Sequence, residues 1–180
     1  MDSSEKKVMV PGPDEKVRIL RERAEALARS TEDRGGPDDE VTVVEFMLAH
    51  ERYALELSYI REVYPLKDVT PLPGVPDFIL GIVNVRGQIL SIVDIRRFFE
   101  LPERGLTNLN QVIILQSDDM EFGLLADEIL GTRSIPRSAI QTSLPTLTGI
   151  RAAYLKGVTE DRLVILDGEK ILADEKMVVQ

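Results

Sequence analysis

The chain contains no cysteine, no tryptophan and a single histidine, His50, in 180 residues. Without cysteine there is no disulfide, no thiolate metal site and no cysteine nucleophile, a usage that fits the cytoplasm. One histidine leaves a zinc site unexpected, and no metal or other cofactor is expected. No apolar run approaches the ~20 residues of a membrane span, and the N-terminus lacks the apolar core of a signal peptide. Direct membrane insertion is therefore not expected. Basic side chains are also outnumbered: 22 Lys and Arg against 31 Asp and Glu leave a net charge of −9. General nucleic-acid binding needs a basic footprint. The phosphate-cradling motifs are missing too: there is no P-loop and no G-x-G-x-x-G, and Gly35-Gly36 does not follow a strand.

What remains is a composition of 43% apolar and 29% charged residues, that of an ordinary soluble globular protein. Residues 1–40 read as an N-terminal extension. Pro11-Gly12-Pro13 breaks the chain, and Asp14 to Ser30 then reads as an amphipathic helix. Asp14 is its N-cap, and Val17, Leu20, Ala24 and Leu27 recur at spacings of three and four. That stripe is narrow and rich in alanine, so the helix needs something to dock on: the body of the chain, a partner or a second copy. Residues 31–40 form a linker of turn formers and charge. Eight basic and eight acidic groups cancel over residues 1–36, so the net charge of −9 resides in the rest.

From Val41 the pattern is that of strands. Val41–Leu48 and Arg52–Leu57 flank a turn at Ala49-His50-Glu51. Ser58–Val63 begins as a helical turn and returns to extended chain. Pro65, Pro71, Pro73, Gly74 and Pro76 then enforce a stiff, irregular connection. It leads into the stretch Ile79–Ile95, which reads as a β-hairpin with Asn84-Val85-Arg86-Gly87 at its tip. Both arms are apolar on successive residues, so the hairpin is expected to be covered on both faces. Asp94 is placed to cap a short helix ending at Phe98-Phe99.

A second pass through the same plan follows. Displaced by 69 residues, Val43-Val44-x-Phe46 lies over Val112-Ile113-x-Leu115, and Tyr53-Ala54-Leu55 over Phe122-Gly123-Leu124. Displaced by 73, Leu90–Asp94 lies over Leu163–Asp167, which makes Asp167 a second cap. Turn, aromatic, strand and aspartate recur in one order, the mark of an internal duplication. Two small β-lobes result, about 41–105 and about 106–180, with exchange of elements between them left open. Neither would bury much core alone. The second lobe lacks the Asn-x-Arg-Gly tip and has the acidic Thr159-Glu160-Asp161 instead.

Catalysis finds little support. Asp38-Asp39 and Asp118-Asp119 are acid pairs in polar turns, and Asp94 and Asp167 are better read as caps. His50 lies in a hairpin turn, and no serine sits in a nucleophile elbow. No catalytic residue is assigned.

Gly81–Gly87 followed by Ile92-Val93-Asp94-Ile95-Arg96 resembles the signature of the CheW family of chemotaxis coupling proteins, G-x-x-N-L-R-G and then V-D-L-R. Val85 and Ile95 stand where leucine is usual. The resemblance runs from about Val41 to about Val179. It implies a mainly β fold of two five-stranded SH3-like β-barrels packed side by side, with few short helices. It also implies a non-catalytic, cytoplasmic adaptor, recruited to membrane-associated receptor arrays through its partners. Those partners are the cytoplasmic signalling tip of a chemoreceptor and the regulatory domain of a CheA-type histidine kinase. Carried over position by position, the receptor-binding set is Ile60, Glu62, Asn84, Val85, Arg86 and Gly87. Within it, Asn84 is expected to fix the turn and Gly87 to serve backbone geometry. For the kinase, no individual residue is assigned within 111–126 or 157–166. The alternatives are a tandem of small barrels that binds nucleic acid and an unrecognised hydrolase.

Overall fold

The computed structural model describes residues 39–102, 105–107, 110–142, 149–177 and 179. The expected helix over Asp14–Ser30 and most of the linker lie outside the described residues.

Among the described residues, ten strands form two five-stranded sheets. In chain order they are β1 Glu40–Leu48, β2 Glu51–Glu56, β3 Ile60–Pro65, β4 Ile79–Val85, β5 Gln88–Val93, β6 Gln111–Gln116, β7 Glu121–Ala126, β8 Glu128–Pro136, β9 Leu155–Val158 and β10 Val164–Leu166. The short helices are α1 Ile95–Phe98, α2 Ile150–Ala153 and α3 Gly168–Ala173. No helix among the described residues is long and apolar enough to cross a membrane.

One sheet has the order β8-β1-β2-β10-β9 and the other β3-β6-β7-β5-β4. Replacing each strand by the one five places along the chain converts the first order into the second, which is the duplication seen in three dimensions. Each sheet takes two leading strands from one repeat and three trailing strands from the other. The chain passes between sheets at two short crossings: the 3-10 turn Leu57–Tyr59 between β2 and β3, and the single residue Asp127 between β7 and β8.

This arrangement explains why the strands are apolar on successive residues. Side chains alternate across a strand. On β6, Val112 and Ile114 enter a core inside the second sheet, while Ile113 and Leu115 enter a core shared by both sheets. On β2, Ala54 faces the inner core of the first sheet, and Tyr53 and Leu55 face the shared one. The central strands are thus covered twice, as is β5 from Leu90 to Val93. The expectation of two covered faces fails for β4. Its buried residues alternate with Leu80, Ile82 and Asn84, which are half-buried or exposed, because β4 is an edge strand with no second layer outside it.

Both β4 and β9 have their outer edges closed by a passing segment. Thr70 exchanges two backbone hydrogen bonds with Ile82, at 2.8 and 2.9 Å, and Gln141 does the same with Val158, both at 3.0 Å. Gly81 has φ +146°, and a Cβ there would lie 2.3 Å from the Thr70 carbonyl oxygen; at Gly157 the Gln141 oxygen would be 2.6 Å away. Only glycine admits the closing segment so near.

Candidate functional site

The tip of the β4–β5 hairpin is tighter than a four-residue loop. Val85 pairs with Gln88, leaving Arg86 and Gly87 as the turn, with φ of 52° and 89°. Two central residues with positive φ make a type I′ turn, whose twist matches that of the strands it joins. Glycine takes this conformation without strain, whereas arginine does not. Asn84 offsets part of that cost, because its Oδ1 accepts the Gly87 N–H at 2.7 Å.

The turn holds Arg86 out in solvent, with its side chain 75% exposed, while its Nη2 reaches Glu62 Oε2 at 3.0 Å. Glu62 lies on β3, at the far edge of the same sheet. Its other oxygen accepts a hydrogen bond from Arg61 Nη2 at 3.1 Å. The two neighbours meet at a β-bulge: Ile60 pairs with Leu115 and Glu62 with Ile114, which leaves Arg61 as the extra residue. Arg61 Nη1 donates to Gln88 Oε1 at 2.9 Å and to Glu121 Oε1, and Gln88 Nε2 donates to Glu121 Oε2. Arg86, Glu62, Arg61, Glu121 and Gln88 thereby form a ring of side chains around the tip end of the sheet. The ring joins the two edges, β3 and the β4–β5 hairpin, where no backbone ladder does.

The structure distributes the six receptor-site candidates unevenly. Glu62 and Arg86 meet directly, Asn84 fixes the turn, and Gly87 contributes backbone geometry. Ile60 is half-buried and packs against the shared core. Val85 is fully buried in the inner core of the second sheet. Strand alternation sends residue 85 inward wherever residues 84 and 86 face out. Arg61, Gln88 and Glu121 escape sequence reasoning because they converge from three separate strands. The Arg61-Glu62 neighbourhood is the one signal the sequence carries of them.

The pseudo-equivalent turn of the first sheet has the opposite sign. There Asp161 Oδ2 accepts from Arg133 Nη1 on β8 at 2.8 Å, and Arg52 on β2 donates to the Asp161 backbone oxygen. Hydrogen bonds from Arg133 and from the Thr159 hydroxyl hold the Asp161 carboxyl well below the usual carboxylate range. One sheet presents a cation held by a carboxylate; the other presents a carboxylate held by guanidinium groups.

Asp94 and Asp167 both cap helices. Asp94 Oδ1 accepts the Arg96 N–H and Asp167 Oδ1 the Lys170 N–H, each at 3.1 Å. Asp94 does more than cap. It also meets the Arg96 guanidinium, whose Nη1 donates to Asp127 Oδ1 at 2.6 Å. Asp127 Oδ2 accepts the Ala49 N–H at 2.6 Å, and Asn110 Nδ2 donates to Asp127 Oδ1 at 3.3 Å. This buried cluster ties α1 and the β6 approach to the crossing residue between sheets and to the β1–β2 turn. Among the described residues, no group of three or more His, Asp or Glu side chains is placed to hold a metal ion.

Comparison with known proteins places this geometry. The chain is 28% identical over 147 residues to the chemotaxis protein CheW of Treponema pallidum, covering 78% of this chain and 86% of that protein. It is 31% identical over 116 residues to the protein FrzA of Myxococcus xanthus, covering 64% and 71%. Its structure superposes on the crystal structure of the scaffolding protein TtCheW from Thermoanaerobacter tengcongensis with a TM-score of 0.64 and 30% identity, over 70% of this chain and 83% of that one. The family model for the CheW-like domain matches residues 42–176, and with the double five-stranded fold and the Asn84–Gly87 turn in place, the chain belongs to the CheW-like family.

Proposed function

We propose that this chain is a non-catalytic adaptor that couples the cytoplasmic signalling tip of a chemoreceptor to the regulatory domain of a CheA-type histidine kinase. It acts in the cytoplasm and reaches membrane-associated receptor arrays through those partners. The observation that carries the reading is the Glu62–Arg86 pair, held at a sheet rim by a rigid two-residue turn in a CheW-like chain. An arginine fixed by its backbone and still largely exposed loses little freedom on docking, which suits recognition. The opposed signs of Glu62 and Arg86 suit a receptor helix that bears both charges.

Titration of wild type and Arg86→Ala against a soluble receptor signalling-tip fragment, and separately against a kinase regulatory domain, tests the assignment. Arg86→Ala weakens receptor-tip binding by ~1–3 kcal/mol, the usual loss for an arginine anchor. It leaves kinase-domain binding nearly intact and changes folding stability by no more than ~0.5 kcal/mol, as at other surface sites. Normal binding of both partners by Arg86→Ala would show that the receptor site lies elsewhere.

A further inference from the structure

The Glu62–Arg86 pair is built from two flexible side chains, and Arg86 is mostly in water. An isolated exposed pair of this kind holds its geometry weakly, because the Coulomb gain is screened and both rotamers must be frozen. Here the carboxylate is held from the other side. Arg61 occupies Glu62 Oε1, which leaves Oε2 as the oxygen that meets Arg86. Arg61 is held in turn by Glu121 on β7 and by Gln88 on β5, and Gln88 is itself held by Glu121. These supports lie on the sheet, not on the loop, and Glu62, Arg61 and Glu121 are far less exposed than Arg86, at 19%, 27% and 14% against 75%. Two arginines balance two glutamates, so the ring is neutral. A partner therefore meets an oriented pair of opposite charges instead of a lone cation.

From this arrangement we infer that Arg61 and Glu121 are positioning residues for the tip: they fix the Glu62 carboxylate so that Glu62 and Arg86 are presented as one preset dipolar unit. The matching partner surface offers a carboxylate to Arg86 and a cation to Glu62. The inference deepens, and its receptor arm rests on, the receptor-coupling function proposed above. Arg61 supplies two functions to Glu62, charge and a directed donor, so Arg61→Lys retains part of the effect and Arg61→Gln retains little of it.

The test uses the full-length protein labelled with 15N on arginine. The Arg86 side-chain Nε–H signal, assigned by its loss in Arg86→Lys, is followed in wild type, Glu62→Gln, Arg61→Gln, Arg61→Lys and Glu121→Gln. The expected result is that Arg61→Gln and Glu121→Gln move this signal most of the way to its position in Glu62→Gln, and that Arg61→Lys restores it in part. Titration with a soluble receptor signalling-tip fragment then shows Arg61→Gln weakened about 3- to 30-fold, as expected for coupling inside an ion-pair network, with no further loss when Glu62→Gln is added. An Arg86 signal unchanged by both Arg61→Gln and Glu121→Gln overturns the inference. So does a receptor affinity that falls in Arg86→Ala and stays at wild type in Arg61→Gln, a result that leaves the proposed function intact. Failure of wild type to bind the receptor fragment removes the proposed function alone, and the Arg86 signal still decides the positioning role.

Discussion

The guanidinium of Arg96 lies side-on against the carboxylate of Asp94, with Nε 2.8 Å from Oδ1 and Nη2 2.8 Å from Oδ2, and both side chains are only 3% exposed. One aspartate therefore serves as helix cap and as counter-ion of a buried arginine. The two roles predict different costs. Loss of a cap costs about 1 kcal/mol, whereas breaking a buried ion pair by neutralising one partner costs about 3–5 kcal/mol. Asp94→Asn, which keeps a capping oxygen but removes the charge, is expected to fall in the larger range in urea unfolding, and Asp167→Ala, which removes the cap and an exposed 3.5 Å contact to Lys170, in the smaller. A cost near 1 kcal/mol for Asp94→Asn would reduce the residue to its capping role.

The β4–β5 turn separates backbone strain from packing. A Cβ on Gly87 would meet nothing within 4 Å, yet φ there is +89°. Gly87→Ala is accordingly predicted to cost about 1–2 kcal/mol from conformation alone. Asn84→Ala should cost about 1 kcal/mol through the lost bond to the Gly87 N–H. Gly81→Ala should be the most damaging of the three, since its Cβ would lie 2.3 Å from a backbone oxygen and the Thr70–Ile82 closure would have to open. Thermal melts should place Asn84→Ala highest, Gly87→Ala next and Gly81→Ala lowest.

Alkaline pH offers a check on the aromatic corner between α1 and α3. Tyr154 packs edge-on to Phe98, with ring centroids 5.2 Å apart, and its hydroxyl donates to Asp174. Burial, with help from Asp174, pushes its phenol up to about 12. The unfolded chain releases this proton near pH 10 and the folded chain near pH 12, so between those values the unfolded state holds fewer protons and stability falls as pH rises. Tyr154→Phe should remove that part of the slope. Urea midpoints of wild type and variant measured from pH 9 to 12 would test it, and parallel curves would count against it.

Asp161 sets the opposite sign at low pH. Its carboxyl is held well below the ordinary range by Arg133 and Thr159, so its contribution to stability is present above the unfolded carboxylate value near 4 and is lost as pH falls through the folded one. Arg133→Gln should make stability less sensitive to acid between about pH 4 and pH 2. An unchanged acid limb of the stability curve would rule the pair out as a contributor.

Much of this molecule can be read from local pattern. The turn chemistry of Asn84–Gly87, the caps at Asp94 and Asp167, the proline-rich connection and the two displaced copies are all written in short stretches of chain, because each rests on φ preference, a neighbouring hydrogen bond or side-chain alternation. Which strands share a sheet is different. Leading and trailing strands of the two repeats have the same apolar pattern, so pairing within a repeat and pairing across repeats satisfy local preference equally well. Register and partner are non-local choices. The tertiary structure makes that choice at two crossings of one and three residues, and fastens one of them with Asp127, which receives the Ala49 N–H, Arg96 and Asn110 from distant parts of the chain. The ring around Arg86 has the same origin. Arg61 and Glu62 are neighbours on β3, but Gln88 and Glu121 lie on β5 and β7, and the four side chains meet only because the sheet brings β3 within reach of those strands.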